Sequence, residues 1–236
     1  MRIFPIFAMS VCALGQIERP RVGVMLDENG GARPVVGVAA SATLGGPLLG
    51  GVLSLSCSAQ ACIAKTEASL ASTSGETVDA PAGPAIFAAP YIYFTAAQQL
   101  VRWRDGQLEP IGFAPGGEVL SLRVNGDGLD CAVRRDGEVS IEHYSLADES
   151  WTALGSLGAA NAVMLIATGA LIAAGDQVRL VHDDGAETTF DTAGVREFVR
   201  MSDSAVELVT AQNRWVIELN GDLEGTRAFL LPGATE

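Results

Sequence analysis

Residues 118–157 read EVLSLRV, NGDG, LDCAVR, RDGE, VSIEHYSL, ADES and WTALGSL. Short segments alternate apolar and polar residues, and each is closed by a cluster of Gly, Asn, Asp, Glu or Ser. Leu129, Cys131 and Val133 fall on one side of their segment, as do Val139, Ile141 and His143 of the next. Asp-Gly pairs suit hairpin turns, whose central residues take positive φ values that match strand twist. Alternation at period two with turns every eight to twelve residues predicts a run of antiparallel strands.

The same unit recurs along the chain. VLSL stands at 52–55 and again at 119–122, 67 residues apart, each time after a Gly pair. Half that spacing is the length of one four-stranded unit. Strands ending in a Gly turn appear as VMLDENG (24–30), LVRWRDG (100–106), VRLVHDDG (178–185) and WVIELNG (215–221). These anchors divide the chain into units at 51–83, 84–117, 118–157, 160–194 and 195–236. An incomplete first unit, 17–50, offers only the hairpin VGVML and PVVGV. The inner strands are apolar on both faces, as strands packed between blades must be.

This rhythm resembles a β-propeller, and NGDGLDCAV resembles the first turn of WD-repeat-like and related bacterial propellers. The resemblance spans nearly all of residues 16–236 and is architectural. The chain lacks the Gly-His and Trp-Asp pair, the kelch double glycine and the S-x-D-x-G-x-T-W box. The likeness therefore implies a fold and transfers no functional residue. The expected architecture is all-β: a propeller of about six four-stranded blades, the first incomplete, in a single domain over 16–236. Five blades plus an N-terminal hairpin is the alternative partition.

The N-terminus, MRIFPIFAMSVCALG, places one arginine before an apolar run and small residues at positions 13 and 15. It reads as a secretory signal over 1–15, with a buried first strand as the other reading. Export to a bacterial periplasm or the extracellular space permits disulfides. Cys57 and Cys62 flank a turn between two strands, so a bridge between them is expected. Cys131 is expected to be a buried thiol. No second Cys/His pair accompanies Cys57 and Cys62, so no metal site is expected.

Twenty-eight acidic against fifteen basic residues give a net charge of −13. Such a chain repels phosphate backbones and anionic membrane surfaces, which excludes nucleic acid as a partner. Residues 152–175 carry no charge and are long enough to span a bilayer. They are rich in Ala and Gly, and Thr168-Gly169 falls where a hairpin turn is due, so strands are expected and no membrane span.

Chemistry is sparse. His143 and His182 sit at equivalent strand positions and read as blade-edge residues. His182-Asp183-Asp184 reads as a hairpin turn, and 125–130 lacks the spacing of a calcium loop. Trp103, Trp151 and Trp215 are expected to pack between blades. No catalytic residue and no cofactor are expected. In a propeller, first–second and third–fourth turns share one face, while second–third turns and the links share the other. That sorting sends Asp27, Glu28, Asp105, Asp127, Asp148, Glu149, Asp183, Asp184, Asp203, Asp222 and Glu224 to the first face. The link face receives Arg134, Arg135, Asp136, Arg196 and Arg214, and is expected to be neutral to basic and to hold any ligand or partner site. The expected function is an exported, non-catalytic binding module for an unknown protein or small molecule. Two alternatives stand beside it: a propeller hydrolase or lyase acting on a carbohydrate or lactone, and a subunit of a cell-envelope assembly.

Overall fold

The computed structural model describes residues 21–58, 61–219 and 226–231. The expected signal over 1–15, with Cys12, lies outside the described residues, as do Asp222 and Glu224.

The described chain is an all-β propeller arrangement. An N-terminal three-stranded sheet holds β1 (Arg21–Leu26), β2 (Ala32–Val36) and β3 (Thr43–Leu44). Five antiparallel meanders of four strands follow. The first contains β4 (Val52–Cys57), β5 (Cys62–Thr66), β6 (Ser69–Ser72) and β7 (Thr77–Asp79). The second contains β8 (Ala85–Ala88), β9 (Tyr91–Phe94), β10 (Gln99–Arg104) and β11 (Gln107–Ile111). The third contains β12 (Glu118–Asn125), β13 (Gly128–Arg135), β14 (Glu138–Ser145) and β15 (Ser150–Gly158). The fourth contains β16 (Ala162–Ile166), β17 (Gly169–Ala174), β18 (Gln177–His182) and β19 (Glu187–Asp191). The fifth contains β20 (Glu197–Ser202), β21 (Ala205–Val209), β22 (Arg214–Glu218) and β23 (Arg227–Leu230).

These meanders form four hydrogen-bonded blade sheets, not about six. Three are four-stranded, and the first and fifth meanders fuse into one eight-stranded sheet. The seam is a single parallel pair, Arg200 opposite Ser56, joining β20 to β4. The alternative partition follows the five meanders but misses this fusion and the third strand of the N-terminal sheet. The reason is that the N-terminal unit has no innermost strand. Its sheet fills a sector between the fifth and first meanders without reaching the axis, and β20 meets β4 in front of it.

Packing bears this out. On one side Met25, Val35 and Ala42 pack with Met201, Ala205 and Val216 of the fifth meander. On the other, Ala32 packs with Val52, Leu55 and Ala64 of the first. β1 runs so close to β20 that a Cβ on Gly23 would lie 2.3 Å from the Met201 carbonyl oxygen. We expect Gly23→Ala to cost about 1–3 kcal/mol through this backbone clash. A urea titration should show a lower midpoint at unchanged slope.

The VLSL repeat has a structural meaning. In both copies the strand register shifts by one residue, between Val52 and Ser54 and between Val119 and Ser121. The serine after each bulge accepts a hydrogen bond from the next inner strand: Ser54 Oγ from Ala85 N and Ser121 Oγ from Leu165 N, both 2.9 Å. A bulge re-aims a side chain, and here it ties adjacent meanders together.

The hairpin chemistry also holds at 136–137, where Asp136 and Gly137 take φ values of 52° and 86°. Between the second and third meanders Phe113 packs against Tyr93, Tyr144 and Trp151, with ring centroids 5.1–5.4 Å away. Trp103 and Trp215 likewise pack against inter-meander cores. Lys65, the chain's single lysine, is fully buried. Its Nζ donates to the Thr66 and Glu67 carbonyls and lies 5.9 Å from the Phe94 ring centroid. Cys57 and Cys62 are joined by a disulfide, while Cys131 is a buried free thiol whose pKa burial pushes up. No helix of the described residues is long and apolar enough to cross a membrane. The uncharged run 152–175 is carried mainly by β15, β16 and β17.

Candidate functional site

The five inner strands β4, β8, β12, β16 and β20 surround a central channel. A cavity of about 320 Å³ opens toward the starts of these strands, where Ala85, Glu118, Asn161, Arg196 and Glu197 form the rim. A second, of about 460 Å³, opens toward their far ends at Ser58, Ala89, Val124, Ala167 and Asp203. The two share Ser56, Phe87, Leu122 and Arg200. Those residues mark the middle of the channel, and the first cavity opens on the link face.

Inner strands carry a free backbone edge, and its polar groups need partners. On β16 and the link before it, three arginines supply them. Arg134 Nη2 donates to the Ala160 and Asn161 carbonyls at 3.0 and 2.9 Å. Arg200 Nη2 donates to Leu165 O at 3.0 Å, and Arg123 Nη1 to Ile166 O at 3.0 Å. Arg134 also pairs with Glu118 at 2.8 Å.

Arg123 belongs to a buried network. The Asp130 side chain is fully inaccessible and accepts from Arg123 Nη2 at 2.7 Å, Asn125 Nδ2 at 2.9 Å and His143 Nδ1 at 2.9 Å. Burial alone would raise the Asp130 pKa, but these donors outweigh it and hold the carboxyl below its ordinary range. Arg123 reaches across to Asp183 of the fourth meander at 2.9 Å. Asp130, His143 and Asp183 therefore serve to lock two meanders together. Among the described residues, no three His, Cys, Asp or Glu side chains cluster as a metal site.

The five residues expected on the link face divide sharply. Arg134 is committed to Glu118 and the β16 link. Arg135 is held by Glu142 at 2.9 Å, by Gly116 O at 3.2 Å and by Pro115 O. Arg214 turns inward to Glu207, 2.7 Å away, and to Leu26 O, which anchors the N-terminal sheet. Asp136 sits at a hairpin tip. Arg196 alone of the four arginines keeps a side chain with no partner among the described residues, at the cavity rim. Sequence reading missed Arg200, Ser56 and Glu197. The available signal was Arg200 itself, a charge inside an otherwise apolar inner strand, EFVRMS.

The expectation of a neutral-to-basic link face fails. Strand connectivity also places Glu67, Glu138 and Asp176 on that side, and Glu118 and Glu197 line its cavity. Three of these acids, Glu118, Glu138 and Glu197, stand at strand starts, outside the turn motifs. Glu197 stands at the cavity rim at the start of β20, and desolvation by the protein around it raises its pKa against the pull of Arg214.

No protein-family model matches the chain, and no curated protein does. Solved structures do. One from a nidogen–laminin complex aligns with a TM-score of 0.59 at 10% identity, covering 91% of this chain and 95% of that one. BBS1N, solved in complex with ARL6DN, aligns at 0.52 and 14% identity, covering 94% and 79%. A Lactobacillus plantarum protein aligns at 0.51 and 15% identity, covering 91% and 95%. PorZ, a surface component of the type-IX secretion system of Porphyromonas gingivalis, aligns at 0.48 and 14% identity. The chain covers 88% of its own length there but 36% of PorZ. At these identities the likeness is one of fold.

Proposed function

We propose that this protein is an exported, non-catalytic binding module that engages its ligand or partner at the link-face mouth of the channel. The observation that carries this reading is the rim at Arg196, Glu197 and Asn161. There, charged and polar side chains with no hydrogen bond or ion pair among the described residues stand around an open cavity, whereas Arg134, Arg135 and Arg214 are spent on structure. Two of the neighbours above were solved with protein partners, which fits a binding role. The pattern of residues 1–15 and the Cys57–Cys62 disulfide support export, since such bonds persist in oxidising compartments.

Covalent footprinting tests the reading. Arginine- and carboxyl-directed labels are applied with and without a concentrated envelope extract of the producing cell. Protection of Arg196 and Glu197, abolished in the Arg196→Glu variant, is the expected result. Protection confined to Asp105, Asp127 and Asp184, on the opposite face, would contradict it. So would chemical turnover of whatever binds.

A further inference from the structure

A guanidinium partly shielded from water is favoured by an anion or by acceptors close to it. The three arginines along the free edge of β16 differ in this respect. Arg123 has two carboxylates, Asp130 and Asp183, and Arg134 has Glu118. Arg200 has one neutral acceptor, the Leu165 carbonyl. Its other N–H groups meet no acceptor among the described residues. Burial works against its charge, and the Asp203 carboxylate favours it through its field. Arg200 is thus a cation in the middle of the channel with no ion pair to a described residue.

Ser56 is its direct partner across the β20–β4 seam. Residues opposite one another across a strand pair leave the sheet on the same side. Both line both halves of the channel, and the Ser56 hydroxyl makes no hydrogen bond to a described residue. The seam exists because the N-terminal sheet lacks an inner strand, so this pairing has no counterpart elsewhere in the described ring. Arg196 lies four residues before Arg200. Alternation puts it on the same side of β20, about 13 Å away along the strand. Glu197 points to the opposite side of that strand, and Glu118 is neutralised by Arg134.

We propose that the channel binds a small oxyanion, the carboxylate or phosphate group of a small molecule, between Arg200 and Ser56, with Arg196 as a second donor at the mouth. The cavity of about 320 Å³ is at the small end of ligand pockets. A net charge of −13 disfavours polyanions and leaves small, singly or doubly charged molecules as the fitting class. This inference rests on the channel being the binding site of the module proposed above.

Isothermal titration with sodium phosphate and with sodium succinate, against sodium chloride at matched ionic strength, tests it and separates the two anion types. Wild type is expected to bind at least one of the two. Arg200→Gln should weaken binding tenfold or more, and Ser56→Ala and Arg196→Gln several-fold each. Arg200→Gln also loses the Leu165 contact. Ser56→Ala and Arg196→Gln remove no internal hydrogen bond, so they keep the test decisive if the first variant does not fold. Heat no greater than that of chloride, or variants that bind as wild type does, would overturn the proposal. A protein partner displaced by Arg196→Glu, with no anion binding, would sink this inference and leave the binding module standing. Arg200-dependent binding followed by consumption of the anion's parent molecule would do the reverse.

Discussion

Replacing Asp130 by alanine is expected to destabilise the protein by about 3–5 kcal/mol, the range for breaking a buried ion pair by removing one partner. Three side chains converge on this inaccessible carboxylate from β12 and β14, and through Arg123 it reaches the turn that carries Asp183. Without it, Arg123 keeps Asp183, while Asn125 and His143 lose their shared acceptor. For a chain of this size the melting temperature should fall on the order of 10 °C. Asp130→Asn preserves the shape and should fall between the two. The folded pKa of Asp130 is depressed, so its contribution is present above the ordinary carboxylate pKa. It is lost as pH falls through the folded value. The difference in melting temperature between wild type and Asp130→Ala should therefore shrink in strong acid. An alanine variant that melts with wild type at neutral pH would show that the network is dispensable.

Glu207→Gln should flatten the pH dependence of stability around neutrality. Glu207 is fully buried in β21, and its second carboxylate oxygen has no hydrogen-bond partner among the described residues. Burial pushes its pKa from 4.5 to about 7, and the 2.7 Å contact with Arg214 pulls the other way without prevailing. The folded protein then holds this proton more tightly than the unfolded chain does. The stabilisation is fully present below about 4.5 and is lost as pH rises through about 7, on the order of 3 kcal/mol in all. Chemical denaturation at pH 5 and pH 8 should reveal that loss in wild type and a smaller one in Glu207→Gln. Glu197, also shifted upward by burial, leaves a residual slope of the same sign. Equal slopes in both proteins would refute the assignment.

Much of the fold was legible because hairpin chemistry and strand alternation are local. The strands read from 52 onward coincide with those formed, and Asp136-Gly137 adopts the expected turn. VLSL marked a repeat correctly, but its reason, a bulge followed by a serine that bonds the next strand, involves residues more than thirty positions away. The blade count was not legible. Only the missing inner strand hinted that β20 would meet β4 and fuse two meanders, and that contact joins residues 56 and 200. The site was read least well. Arg134, Arg135 and Arg214 look equally free as letters, yet their partners Glu118, Glu142 and Glu207 come from neighbouring strands. Arg200 is illegible as a site in the sequence because a single charge in an apolar strand shows no motif. Its lack of an ion pair to a described residue emerges only once every neighbouring carboxylate has been placed.

The claim that function resides in the channel is tested most directly by backbone hydrogen exchange in saturating phosphate or succinate, with chloride at matched ionic strength as reference. Added protection concentrated in β4 and β20, on either side of the Ser56–Arg200 seam, is the predicted result. Uniform protection over all meanders, protection centred on the outer strands, or none beyond that in chloride would contradict it.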